Sequence, residues 1–186
     1  MEKNGRDIYG KNLIIDFVPL DLNNQKLLNN FSSGNDIIDK YFKFEALSDS
    51  TSKTFLVLNI DENVDIIAIY TLCCSGYVVQ SNSKIYIYPA VEIKYFATSE
   101  NYQDMQYDFK REVGCLSGHI LSMVIAKIMD FTDKHCGANK VILYSVPDAI
   151  KFYETAGFKH FDDFMLESNE IYLEGCEPMY FDLNEY

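Results

Sequence analysis

The sequence predicts a mixed α/β fold with one sheet, on three observations. β-Branched apolar runs alternate with amphipathic stretches of helical period, and turn residues separate them at short intervals. Over 186 residues, 48% apolar content with 15% aromatics is ample for a core. Read in order, the elements are β, α, α, β, β, β, α, β, α, β, β. One domain is expected over residues 1–186, its core running from about 12 to 183, with no linker and no second domain.

"NLIIDFVPL" (12–20) is a β-branched run closed by Pro19 and forms the first strand. "DLNNQKLLNNF" sets Leu22, Leu27, Leu28 and Phe31 near helical spacing after an Asp. "SGNDIIDKYFKFEAL" restarts after Gly34 with Ile37, Ile38, Tyr41 and Phe42 on one face, so two short helices follow. "KTFLVLNID" and "VDIIAIYTLCC" read as an antiparallel hairpin across the turn "DEN". "KIYIYPAVEIKYFAT" is the fourth strand, and "SENYQDMQYDFKRE" a polar loop. A long helix runs from about Ser117 to His135, with Leu121, Val124, Ile125, Ile128 and Phe131 as its apolar stripe and Cys136-Gly137 as its stop. "KVILYSV" is a buried fifth strand. "PDAIKFYETAG" is a helix opened by Pro147-Asp148 and ended by Gly157, and "FKHFDDFMLES" with "EPMYFDLNEY" forms a closing hairpin.

Sixteen basic against 28 acidic residues give a net charge of -12, a field that repels phosphate backbones and attracts cations. Residues 161–186 hold eight acids (Asp162, Asp163, Glu167, Glu170, Glu174, Glu177, Asp182, Glu185) and no Lys or Arg. Five cysteines (Cys73, Cys74, Cys115, Cys136, Cys176) form no CxxC pair and are odd in number. That pattern excludes a disulfide framework and a zinc site, and predicts reduced, mostly buried thiols with no metal. No apolar run reaches the roughly 18 residues of a membrane span, so a cytoplasmic protein without a membrane partner is expected. Oligomeric state is left open, a homodimer included.

The element order, together with "PAVEIKYFA", "GANKVILYSV" and "AIKFYETAGF", resembles the GNAT superfamily of acyl-CoA-dependent N-acetyltransferases from about residue 12 to 183. Its most specific part is "FYETAGF", one strand and one helix after the long amphipathic helix. The resemblance implies a mostly antiparallel sheet flanked by helices, with the fourth and fifth strands splayed and acetyl-CoA (coenzyme A) as cofactor. The pantetheine arm is then expected against the main chain of Phe96, Ala97 and Thr98. A strand whose neighbour diverges leaves N–H and C=O groups needing partners, which an amide-containing arm supplies.

The cofactor's diphosphate is expected at the N-terminus of the long helix, where free N–H groups and the helix dipole favour an anion. The family writes this turn as Gln or Arg, two residues, Gly, one residue, then Gly or Ala. The matching positions here are Val113, Gly114, Cys115, Leu116, Ser117 and Gly118. Only Gly118 fits; Val113 stands in place of Gln or Arg, and Leu116 in place of the first glycine. Ser117 is expected to cap the helix, with Lys110, Arg111 and His119 supplying positive charge. Ser145 and Phe152 complete the implied cofactor contacts.

An alkylammonium, with a pKa of about 10.4, must lose a proton before its nitrogen attacks a thioester, so a carboxylate is required at the site. Glu92, which opens "EIKYFA", matches the family's general base; the plain alternative is a strand Glu paired with a Lys. Alternation sets Glu92, Lys94 and Phe96 on one strand face and Ile93, Tyr95 and Ala97 on the other. Helical geometry predicts Phe152 turned inward, with Tyr153 about 100° round the helix facing a cleft. Resemblance then assigns Tyr153 as the acid that protonates the departing sulfur. Phe152 and Phe158 are expected in the core, and His135 and His160 at the surface.

The reading that follows is direct acetyl transfer from acetyl-CoA to a primary amine on a cationic small molecule, peptide or protein lysine. An alternative rests on "FSSGNDIIDKYFK", which is similar to a segment of GNAT toxins that acetylate aminoacyl-tRNA; the acidic charge weighs against any nucleic acid other than that tRNA. A non-catalytic acyl-CoA-binding regulatory module is the third reading, motivated by the departures at Val113 and Leu116.

Overall fold

The computed structural model describes residues 13–61, 64–109, 112–163, 165–166 and 175–185. The chain divides into two compact units, Met1–Leu72 with Tyr95–Leu121, and Cys73–Lys94 with Ser122–Tyr186.

In the first unit, β1 (Ile15–Pro19) pairs antiparallel with β2 (Ser52–Asn59), from Ile15↔Asn59 to Pro19↔Phe55. β2 neighbours the first half of β3 (Asp65–Ser81). There Phe55 stacks on Tyr70 at 5.0 Å, and the buried Thr54 and Thr71 hydroxyls share a 2.8 Å hydrogen bond. The first predicted helix is a 3-10 helix, Gln25–Asn30. Its start is delayed because the Asp21 carboxylate accepts the Asn23 and Asn24 N–H groups, a side-chain turn that competes with helix. Leu22 is accordingly 81% exposed rather than core.

α1 (Asp36–Phe44) is capped by the Asn35 side chain, which accepts the Ile37 and Ile38 N–H groups. Tyr41 and Phe42 are buried as predicted, while Ile37 is exposed. They pack with Leu28, Phe31, Leu56, Ile69 and Ala97, and Tyr95 lies against them, its ring 4.4 Å from Tyr41. The predicted polar loop contains a hairpin, β5 (Gln106–Phe109) paired antiparallel with β6 (Glu112–Cys115).

In the second unit, β3 turns into β4 (Lys84–Thr98) through Asn82 (φ 48°) and Ser83 (φ 64°). Two consecutive positive φ values suit the twist of a two-residue hairpin. β4 pairs parallel with β7 (Lys140–Ser145), the predicted fifth strand, and β7 pairs along its whole length with β10 (Glu177–Asp182), antiparallel. β8 (Lys159–His160) pairs the far edge of β10, as the closing hairpin requires. β9 (Met165–Leu166) departs from that hairpin and pairs with β3 at Val78 and Val79. The strand order in this unit is β9-β3-β4-β7-β10-β8.

α2 (Leu116–His135) buries Ile120, Leu121, Val124, Ile125 and Ile128. Phe131, predicted in this stripe, is 46% exposed and leans on the His135 ring. A 3-10 turn (Pro147–Ala149) leads into α3 (Ile150–Thr155). The five thiols are free as predicted but less buried, with Cys74 and Cys115 exposed and the others half-buried. Among the described residues no helix is long and apolar enough to cross a membrane, and no cluster could hold a metal ion.

Candidate active site

The predicted catalytic residues Glu92 and Tyr153 both belong to the second unit. "FYETAGF" closes α3 as a Schellman motif: Phe158 N–H donates to the Tyr153 carbonyl and Gly157 N–H to the Glu154 carbonyl, each at 3.0 Å. Gly157 sits at φ +94°, where an L side chain is strained, and a Cβ there would meet the Phe181 ring at 3.1 Å. The motif's apolar contact is made by Tyr153 and Phe158, whose rings meet edge to face at 5.6 Å; Phe158 continues onto Phe181 at 5.5 Å.

This corrects the predicted helix orientation. Tyr153 is buried and Phe152 half-buried, because the side chain three positions before the cap is the one the cap folds onto. Burial pushes the Tyr153 phenol well above the ordinary tyrosine range, so near neutrality it is an O–H donor.

Glu92 lies where the β4–β7 ladder stops. Among the described residues that ladder consists of Val91↔Val141 and Glu92↔Ile142, yet β4 runs on to Thr98 and β7 to Ser145. Glu92 as a residue is 9% exposed, far from the plain solvated strand Glu. Ser145 is buried, and its hydroxyl donates to the Val146 carbonyl at 2.9 Å.

The predicted cofactor residues of the first unit fall into two groups. Ser99 N–H donates to the Ile67 carbonyl on β3, so by strand alternation Ala97 also points its backbone at β3, while Phe96 and Thr98 point theirs the other way. Thr98's carbonyl accepts Gln103 Nε2 at 3.0 Å. Of the three positions expected to contact the cofactor, Phe96 and Thr98 thus turn their backbone away from β3, and Ala97 turns its toward it. Gln103, which sequence reading left in a polar loop, also donates to the Ser33 carbonyl at 2.8 Å, and Glu100 N–H donates to Ser32. Asp39, buried on α1, accepts the Ser33 N–H and hydroxyl. "FSSGND" is therefore fastened to the exit of β4. The only signal for this in the sequence is the Ser-Ser-Gly-Asn run with an Asp six residues after Ser33, the makings of a side-chain-bonded turn.

The second group surrounds the N-terminus of α2. The helix begins at Leu116, whose N–H donates to the Met105 carbonyl at 2.8 Å, so Ser117 lies inside the first turn and not at the cap. His119 explains Gly114: a Cβ there would meet His119 Nε2 at 3.0 Å, and the ring faces Tyr107 edge-on at 6.2 Å. Gly118, in the first turn, has nothing within 4 Å of where a Cβ would stand. Val113 lies on β6, paired with Asp108. Lys110 and Arg111, the predicted cations, lie outside the described residues.

With this geometry the chain can be compared with known proteins. A tyrosine-to-phenylalanine mutant of KacT matches at TM-score 0.69 and 11% identity, over 92% of this chain and 96% of that one. AtaT complexed with acetyl-methionyl-tRNAfMet matches at TM-score 0.69 and 13% identity, over 92% and 96%. The chain has the GNAT fold. A third GNAT-fold match is a tyrosine-to-phenylalanine mutant of the toxin AtaT bound to acetyl-CoA and the C-terminus of the antitoxin AtaR, at TM-score 0.66 and 12% identity, over 92% and 94%. No protein-family model and no curated protein sequence matches.

Proposed function

We propose that the chain transfers an acetyl group from acetyl-CoA to the α-amine of an aminoacyl-tRNA. The observation that carries this is the match in fold, along 92% of the chain, to AtaT complexed with acetyl-methionyl-tRNAfMet. The fastening of "FSSGND" to the exit of β4, at the segment similar to the tRNA-acetylating toxins, adds to it.

Acetyl-CoA, when bound, supplies the acetyl thioester. The Phe96 and Thr98 N–H groups would hold its amide arm and the first turn of α2 at Gly118 its anionic end. Glu92 takes the proton that the attacking ammonium must shed, and water can relay it. With the thioester carbon there for the free amine to attack, Tyr153 would give its O–H proton to the departing sulfur. Burial suits Tyr153 to that step, because it keeps the phenol protonated until charge develops beside it.

The charge of -12 favours a second reading, acetylation of a cationic amine or lysine peptide, since an acidic surface opposes tRNA. One assay separates them: the chain is given acetyl-CoA labelled in the acetyl group with charged tRNAs, polyamines or lysine peptides. Label on aminoacyl-tRNA supports the first reading and label only on amines the second. Absence of acetyl-CoA binding at millimolar ligand by calorimetry would remove both.

A further inference from the structure

We propose that residues 84–88, "KIYIY", are a self-pairing edge through which two copies of this chain form a dimer. On the side away from β3, β4 meets β7 only at Val91 and Glu92, so among the described residues no strand pairs Lys84–Ala90 there. The side chains along this edge are apolar and in solvent: Ile85 66%, Tyr86 43%, Ile87 75% and Tyr88 41% exposed. Strands with such edges normally carry charges or bulges that prevent pairing. From Cys73 to Val91 the only charged side chain is Lys84, in a chain that is 24% charged.

The occupant follows from the order of the side chains. Ile-Tyr-Ile reads the same in both directions, so antiparallel pairing about a two-fold axis at Tyr86 sets Ile85 opposite Ile87 of the partner copy twice. Tyr86 then meets its own counterpart, and Lys84 faces Tyr88, where an ammonium can lie over a ring. An unrelated extended peptide would have no need of that symmetry. Charge points the same way. Two bodies of -12 repel, and from Cys73 to Val91 this arm carries no carboxylate of its own. The two Lys84 residues would stand about 14 Å apart at strand spacing, beyond the ~8 Å screening length of physiological salt.

Sedimentation velocity of the full chain tests this, with 21.5 kDa as the mass of one copy. The expected result is a dimer at tens of micromolar, with Ile87→Pro and the Ile85→Lys/Ile87→Lys pair sedimenting as monomers of unchanged circular dichroism. Register is read by mild oxidation in a Cys74→Ser/Cys115→Ser background. Tyr86→Cys cross-links to itself, Ile85→Cys alone does not, and Ile85→Cys mixed with Ile87→Cys does. A wild-type monomer throughout that range overturns the proposal. So does a dimer that survives both edge variants, or self-cross-linking of Ile85→Cys equal to that of Tyr86→Cys.

Discussion

Tyr153 and Phe158 are joined twice, by the Phe158 N–H donating to the Tyr153 carbonyl at 3.0 Å and by rings meeting edge to face at 5.6 Å. The helix cap therefore sets where the phenol points, and packing and chemistry can be separated by substitution. Tyr153→Phe keeps the ring and is expected to change stability by less than about 1.5 kcal/mol. Tyr153→Ala empties a buried site and is expected to lose about 3–5 kcal/mol. Denaturant melts read that difference. Turnover with acetyl-CoA is expected to fall in Tyr153→Phe by about 10²-fold, the ordinary value of a positioned acid. A Tyr153→Phe variant of full activity would leave the residue a purely structural role.

Gly157 holds the same cap from the other side. Its φ of +94° and the Phe181 ring 3.1 Å from a Cβ act together, so Gly157→Ala must strain its backbone and displace an aromatic in one step. A loss of about 1–3 kcal/mol is expected. Gly118→Ala is the comparison, because nothing stands within 4 Å of its Cβ position. In the first turn of a helix it should be neutral or stabilising by up to about 1 kcal/mol while weakening acetyl-CoA binding. Thermal melts with and without acetyl-CoA measure both effects.

Much of this was legible in the sequence. The bounds of β4 at Lys84 and Thr98, and the face of α2 from Leu121 to Ile128, follow from turn residues and apolar spacing alone. The β5–β6 hairpin was missed because its strands are four residues long and half polar, although Gln-Tyr-Asp-Phe does alternate. β9 was placed in the wrong pair because its partner, Val78 and Val79, lies far back in the chain, where periodicity carries no information. Periodicity also cannot choose which of two adjacent aromatics faces inward. The choice between Phe152 and Tyr153 was available from another signal: a glycine at Gly157 followed by Phe158 names Tyr153 as the residue the cap folds onto.

His160 ties two elements by charge: its Nδ1 lies 2.8 Å from Glu177 on β10, and its Nε2 3.2 Å from Glu154 on α3. Those carboxylates, Glu177 foremost, raise its pKa, and His160 in turn lowers that of Glu154. A raised folded-state pKa contributes stability below the unfolded value near 6.5, and that contribution is lost as pH rises through the folded value. Asp182 runs the opposite way. Its hydrogen bond to Lys140, at 2.6 Å, holds its pKa down, so its contribution is lost on acidification. His160→Gln is therefore expected to lower Tm at pH 5.5 and leave it near wild type at pH 9, whereas Asp182→Asn should lower it at pH 7 and cost little near pH 2. Melting curves across pH distinguish the two, and a pH-independent His160→Gln shift would assign the histidine to packing.

Glu92 gives the sharpest test because the need for a base depends on the acceptor. An α-amine, with a pKa of about 8, is roughly one-tenth free at pH 7, whereas an alkylammonium near 10.4 is free in about one molecule in 2,500. Removing the base therefore costs more with lysine-like acceptors than with aminoacyl-tRNA. Glu92→Gln is expected to lower kcat/KM by about 10²-fold or more at neutral pH while calorimetric affinity for acetyl-CoA stays within about twofold. The variant's pH–rate profile should then follow the acceptor's own pKa, rising about eightfold from pH 7 to pH 8.5 and then levelling with aminoacyl-tRNA, and continuing to climb past pH 9.5 with an alkylamine. Unchanged kcat/KM for every acceptor at pH 7 would exclude Glu92 as the base and return its buried carboxylate to the role of ending the β4–β7 ladder.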